Sequence, residues 1–172
     1  MDWFVFYTKS RQEKKVRDLL VKRGFEVFLP LQKVMRQWSD RKRKVDVPLF
    51  NSYIFVQDTP DKIPAILQTP GIAWNIRHND RPAVLHPKDM ETINRFLTSG
   101  LFVESGPAEN LNQGDAVEIV DGPLKGLQGN VVRTSDGEKF TISLESIGHS
   151  LLVTLDAIVL KKIPVISKEN PI

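Results

Sequence analysis

Residues 114–133 restrict the fold more tightly than any other stretch of the chain, because two alternating runs flank a segment punctuated by glycine and proline. In Ala116-Val117-Glu118-Ile119-Val120, alternation at period two puts Val117 and Ile119 on one face of a strand. A second strand resumes at Val131-Val132-Arg133. Between them Gly122, Pro123, Gly126 and Gly129 allow a tight, irregular reversal, with Asp115 and Lys125 near the turns. The plain alternative for this stretch is an ordinary β-hairpin with a glycine-rich loop.

Composition sets the outer limits. At 172 residues the chain makes one domain or two small ones, and an apolar fraction of 41% suffices for a buried core. No run approaches roughly 18 apolar residues, and no basic segment leads into an apolar one near Met1, so a soluble cytoplasmic chain without a membrane partner is expected. The absence of cysteine excludes disulfides and Cys-based zinc sites. His78, His86 and His149 show no metal spacing, so neither metal nor cofactor is expected. No Walker, Rossmann or nucleophile-elbow spacing occurs, and the glycines of 122–129 precede neither a helix nor a Gly-Lys-Ser/Thr sequence. A non-catalytic protein is expected.

Upstream, Trp3-Phe4-Val5-Phe6-Tyr7-Thr8 reads as a strand from its aromatic and branched content. Ser10 and Glu13 fit a capping box, Val16, Leu19 and Leu20 follow at helical spacing, and Gly24 ends the helix. Phe25-Glu26-Val27-Phe28-Leu29-Pro30 returns as a strand. Residues 33–44 hold six basic side chains and one acidic one among twelve, which predicts a solvated loop or hairpin tip outside the core. In Pro48-Leu49-Phe50-Asn51-Ser52-Tyr53-Ile54-Phe55-Val56, period two places Phe50, Ser52, Ile54 and Val56 on one face. Leu49, Asn51, Tyr53 and Phe55 take the other, so one face meets the core and the other is a candidate contact surface.

Asp58-Thr59-Pro60 opens a short helix to about Gln68 with Pro64 in its first turn, and Ile72-Ala73-Trp74-Asn75-Ile76-Arg77 alternates as a strand. Pro87 starts a helix with Met90, Ile93 and Leu97 on one stripe and Gly100 at its end. The order β-α-β-β-α-β-α predicts a ferredoxin-like α+β domain over residues 1–100. Residues 101–113 read as a polar, turn-rich linker. Strands expected at 116–120, 128–134, 139–144, 151–155 and 157–161 predict a small five-stranded SH3-like β-barrel over 114–164, followed by a frayed tail, 165–172.

Taken together, these residues resemble the NusG family of transcription elongation factors along nearly the whole chain. The opening stretch resembles that family's KOW motif through Gly114, Asp115, Gly122, Pro123, Gly126 and Gly129. Ribosomal and other RNA-binding proteins carry a KOW motif too, so the stretch alone leaves that class open. The first domain is similar to the family's NGN domain through Trp3-Phe4-Val5, Glu13-Lys14-Lys15-Val16, Phe28-Leu29-Pro30, Pro48-Leu49-Phe50 with Tyr53, Phe55 and Val56, Gly71-Ile72 and Arg81-Pro82-Ala83. The basic run from Lys33 to Lys42 resembles UpxY-type specialised antiterminators, which act on long capsular polysaccharide operons. A housekeeping NusG-type factor is the alternative within the family.

Three sites follow from the resemblance. It implies an apolar face for the clamp helices of the largest RNA polymerase subunit, at Tyr7, Phe50, Tyr53, Ile54, Phe55 and Trp74. The plain alternative is that these aromatics are core residues. It also implies a basic surface for the DNA of the transcription bubble or nascent RNA, made by Lys9, Arg11, Arg36, Arg41, Lys42, Arg43, Lys44 and Arg77. Trp38 is placed there to stack on an unpaired base. The plain alternative is a solvated charge run. Finally, family members bind a termination factor or a ribosomal protein through a loop of the KOW domain. Here Ile147-Gly148-His149 stands where the housekeeping form has Phe-Gly-Arg, so weak recruitment of the termination factor is expected. The protein is expected to act as a monomer that suppresses pausing and termination.

Overall fold

The computed structural model describes residues 1–108 and 114–164. The N-terminal half is built on a split β-α-β unit. Strand β1 (Asp2–Thr8) leads through helix α1 (Glu13–Lys22) to β2 (Glu26–Phe28). A hairpin of β3 (Leu31–Trp38) and β4 (Arg41–Pro48) follows, then β5 (Tyr53–Asp58), a 3-10 turn at Pro60–Lys62, α2 (Ile63–Leu67) and β6 (Ile72–Asn75). The principal sheet runs β2-β5-β1-β6, so β5 is inserted antiparallel between β1 and β2, as in a ferredoxin-like fold. A small hairpin of β7 (Arg77–His78) and β8 (Arg81–Pro82) turns through Asn79 and Asp80, both at positive φ. Strand β9 (Val84–Leu85) then pairs with β1, and α3 (Pro87–Leu97) closes this half.

Alternation along β1 and β5 divides the core in two. Phe4, Phe6, Ile54 and Val56 pack with Val16 and Leu20 of α1 and Ile66 of α2. Val5 and Phe55 point to the opposite face, where Ile93 and Phe96 of α3 are also buried. Burying each of these large side chains stabilises the fold by about 1.5–3 kcal/mol, so both faces of the sheet are committed.

Two local expectations are corrected here. Residues 48–56 are not one continuous strand, because the chain turns at 49–52 with Ser52 at φ +66°. Phe50 therefore joins Tyr53 and Phe55 on one side, while Ile54 is sealed beneath the helices at 0% exposure. Nor does Glu13 complete a capping box. Helix α1 begins after Gln12 without a side-chain cap, and the buried Glu13 carboxylate instead accepts the Ser52 N–H at 2.8 Å. That bond holds the turn that breaks the strand's parity.

The C-terminal half is a six-stranded antiparallel sheet. Its strands are β10 (Glu104–Pro107), β11 (Ala116–Ile119), β12 (Gln128–Thr134), β13 (Gly137–Leu144), β14 (His149–Val153) and β15 (Leu160–Lys162), in the order β10-β14-β13-β12-β11-β15. The strand beyond the five expected, β10, comes from within the stretch read as a linker. Residues 109–113 of that stretch and the tail 165–172 lie outside the described residues. The start of the expected strand 157–161 is instead a 3-10 turn, Ala157–Val159, capped by the Asp156 carboxylate through the Ile158 N–H.

In the glycine-rich loop, Gly122 and Gly126 adopt φ +87° and +90° on either side of Leu124, which plugs the core. The tightest steric positions lie elsewhere. A Cβ on Gly114 would sit 2.2 Å from the Val131 carbonyl oxygen, and one on Gly129 2.2 Å from that of Thr141. Gly126 needs its conformation; Gly114 and Gly129 need the space.

Candidate functional site

Neighbouring strands bring three aromatic side chains into one row. Tyr7 on β1 is paired in register with Tyr53 on β5 and Trp74 on β6. The Tyr7 and Trp74 rings stack at 4.5 Å with planes 9° apart, and Tyr7 meets Tyr53 edge to face at 5.8 Å. Trp74 is 54% exposed at the free edge of the sheet, which is high for an indole. Phe50 and Phe55 lie behind Tyr53 and are buried, 6.2 Å from each other. The structure thus brings together Tyr7, Phe50, Tyr53, Phe55 and Trp74 and leaves Ile54 on the far side of the sheet.

The far end of the row is covered by the chain itself. The loop Ile147-Gly148-His149 comes from the C-terminal sheet, with Ile147 buried and Gly148 at φ +65°. His149 meets the Tyr53 ring at 4.7 Å and the Phe50 ring at 5.5 Å, edge to face in both cases. Its Nδ1 lies 3.0 Å from the Ile147 carbonyl oxygen. Burial holds the Tyr53 hydroxyl in its protonated form to higher pH than a free tyrosine, and the nearby Tyr7 acts in the same direction. Two surfaces read separately from the sequence, the aromatic face and the KOW-side loop, are pressed against each other.

Polar contacts hold this closure. The Asp89 carboxylate of α3 accepts the Ser146 N–H at 3.2 Å and the Ser146 hydroxyl, which in turn accepts the His86 N–H. Arg95 donates to the carbonyls of Pro123 and Lys125 at 3.3 and 2.8 Å, so the glycine-rich loop is docked onto α3. The Gln32 side chain brackets Val103, donating to its carbonyl at 2.7 Å and accepting its N–H at 3.1 Å. Ser105 donates to the Leu49 carbonyl at 2.6 Å. Within the C-terminal sheet itself, Lys139 of β13 bonds to Glu104 of β10, which favours the charged form of the lysine. Sequence reading missed Gln32, Asp89, Arg95 and Ser146, since each meets a partner with no local pattern to announce it.

The basic surface is the β3–β4 hairpin, a ribbon of two eight-residue strands forming a sheet of its own. Arg36, Arg41, Lys42, Arg43 and Lys44 are exposed on it, and Trp38 stands 60% exposed near the tip. Lys9, Arg11 and Arg77 are also exposed, Arg77 donating to the Asp80 carbonyl at its own turn. Among the described residues no three His, Asp or Glu side chains gather as metal ligands would, and no helix is long and apolar enough to cross a membrane.

An α+β domain with an aromatic sheet face, joined to a small β-rich domain with a glycine-hinged loop, defines the class of the molecule. Within that class the chain belongs to the NusG family, whose family model, described as transcription termination factor nusG, matches residues 1–94. It is similar to the transcription termination/antitermination protein NusG of Deinococcus radiodurans, 27% identical over 185 residues, with 91% of this chain and 96% of that protein covered. The protein of the same description from Streptococcus pyogenes serotype M1 is 24% identical over 168 residues, with 90% and 92% covered. A solved structure described as "Domain interaction in Thermotoga maritima NusG" aligns with a TM-score of 0.57 at 19% identity, over 95% of this chain and 97% of that one. That likeness shows the fold.

Proposed function

We propose that this protein is a transcription elongation and antitermination factor that docks on RNA polymerase through its N-terminal domain and suppresses pausing and termination. The observation that carries the reading is the Trp74-Tyr7-Tyr53 row, aligned across three strands and exposed at its Trp74 end. Aromatic anchors on a flat sheet suit a pair of partner helices laid across them, here the clamp helices of the largest polymerase subunit. The basic hairpin stands clear of both cores, in reach of the DNA of a transcription bubble. Bridging polymerase and DNA disfavours the conformations that lead to pausing, by differential binding rather than chemistry. Resemblance of the 33–42 run to UpxY-type proteins supports service on long polysaccharide operons. With His149 occupied by Phe50 and Tyr53, the loop 147–149 recruits a termination factor weakly.

The test is a polymerase pull-down paired with a run-off assay through a terminator. The wild-type protein is expected to raise read-through. Trp74→Ala and Tyr7→Ala are expected to weaken polymerase binding by about 30-fold or more each, the cost of losing an aromatic anchor worth about 2 kcal/mol. Unchanged binding by variants that stay folded in circular dichroism would overturn the docking surface. A general housekeeping role is the second reading, favoured by the full-length match to relatives described as termination/antitermination proteins. Comparing read-through at polysaccharide-operon and unrelated terminators separates the two.

A further inference from the structure

Strand β10 is gripped by both halves of the molecule, and the two grips differ in kind. On the C-terminal side it pairs with β14 in register, from Glu104 opposite Leu152 to Pro107 opposite His149. The Ala108 N–H donates to the Gly148 carbonyl at 3.2 Å, and alternation along an antiparallel ladder makes the amides of Gly106 and Glu104 the next to bond β14. The Lys139 ammonium, on a side chain only 9% exposed, bonds the Glu104 carboxylate at the end of that ladder. On the N-terminal side the grip is made by the base of the β3–β4 hairpin. There Gln32 brackets Val103 through both peptide groups, and the Leu49 carbonyl accepts the Ser105 hydroxyl. By cross-strand register Gln32 shares the ribbon face of Arg36, Arg41 and Arg43, whereas Lys33, Lys42 and Lys44 take the other face.

We infer that β10 is a strap carried by the C-terminal half, that Gln32 is the latch holding it to the N-terminal half, and that Gly100 is the pivot about which the halves part. Taking β10 off β14 breaks a run of backbone bonds and a charge-assisted bond together, and it strips the edge of a sheet. Undoing the bracket takes the rotation of one side chain, and water then satisfies both the amide and the peptide groups it leaves. The weaker hold is therefore at Gln32. Val103 is buried in the same apolar cluster as Phe50 and Ile147, so its release loosens the cover over the aromatic row. Residues 98–103 join α3 to β10. Gly100 stands among them at φ +77°, where a Cβ would meet no atom within 4 Å, so the chain swings there without unpacking a side chain. This goes beyond the transcription reading, since it concerns how the two halves separate whatever partner receives the open form.

Amide exchange followed residue by residue by NMR in the full-length protein tests the three assignments. The reporters of parting are the Ser146 and His86 N–H groups, which bond between α3 or its cap and the C-terminal loop, far along the chain from Gln32. Gln32→Ala is expected to quicken exchange at both by about tenfold, the scale of two lost hydrogen bonds. Glu104 and Gly106 are expected to keep their protection, because β10 leaves with β14. Phe6 and Ile54 in the N-terminal sheet are expected to keep theirs, which separates parting of the halves from general loss of stability. Lys33→Ala, the next residue along the strand and on the opposite face, is expected to leave exchange at Ser146 unchanged. Gly100→Ala is expected to quicken Ser146 about fivefold or more, since the closed form then holds a side chain at a positive φ that parting relieves. Exchange at Glu104 and Gly106 rising in step with Ser146 would overturn the strap. An unchanged Ser146 in Gln32→Ala, or an equal rise in Lys33→Ala, would overturn the latch, and an unchanged Ser146 in Gly100→Ala the pivot.

Discussion

At the scale of single residues, two kinds of glycine constraint separate cleanly. Gly126→Ala puts a side chain at φ +90° in open space, a backbone penalty of about 1–2 kcal/mol. Gly129→Ala drives a methyl group into the Thr141 carbonyl and the Phe140 ring, and a cost of about 3 kcal/mol or more is expected. Urea midpoints rank the two, and a Gly126 variant less stable than the Gly129 variant would contradict the packing described. Tyr53 gives a second residue-level prediction. Its folded pKa is raised above the ordinary tyrosine value, so the stability it contributes is complete below about pH 10 and is lost as pH rises through the folded value. Lys139 also has a raised pKa, and its bond to Glu104 weakens in the same direction. Alkaline loosening of the Tyr53 contact and, separately, of the C-terminal sheet is therefore expected. The chain has two tyrosines, so ultraviolet titration of Tyr7→Phe follows Tyr53 alone. A midpoint at the free-tyrosine value would contradict its burial against His149.

At the scale of elements, the turn before β5 decides which aromatic side chains share a face. Its anchor is the buried Glu13 carboxylate on the Ser52 N–H. Glu13→Ala leaves that N–H without its partner, and a loss of about 1–3 kcal/mol is expected. Hydrogen exchange at Ser52 is expected to quicken before exchange in the strand beyond it. Exchange unchanged at Ser52 would place the hold on the turn elsewhere. The hairpin illustrates the opposite case. Charge density alone indicates that residues 33–44 stay out of the core, whereas the segregation of arginine from lysine becomes visible only with the β3–β4 register. One residue of slip would exchange every side chain between the faces.

At the scale of the whole molecule, the C-terminal sheet and the proposed polymerase contact compete for Tyr53 and Phe50. If polymerase helices dock on the row as proposed, they displace His149, so docking is linked to an open form in which loop 147–149 has left Phe50 and Tyr53. Asp89→Ala removes the acceptor of both Ser146 groups, and Arg95→Ala frees the carbonyls of Pro123 and Lys125. Each is expected to shift the population toward the open form and to raise polymerase affinity several-fold. Affinity unchanged in both, with exchange at 146–149 quickened, would mean that opening does not limit docking. Strand β10 remains bonded to β14 in the closed form, so opening need not unravel the C-terminal sheet.

Much of this protein is written in short-range patterns. Alternation marks the strands around 114–133, the six basic residues of 33–44 cannot be buried without partners, and aromatic strands at 3–8 and 53–56 declare a sheet. These features depend on neighbours within a few residues, where sterics and solvation act whatever the rest of the chain does. The parity of Phe50, the two faces of the hairpin and the meeting of His149 with Tyr53 are of another kind. They depend on a turn held by a distant carboxylate, on a register, and on hydrogen bonds between α3 and loops of the C-terminal sheet. Composition allows many such pairings, and only simultaneous packing of both halves around one shared apolar cluster selects among them. By itself, the sequence determines most of the strands, the glycine turns and the charged stretch that stays in solvent. Only the tertiary structure decides which of their surfaces stay open and which one the molecule keeps covered.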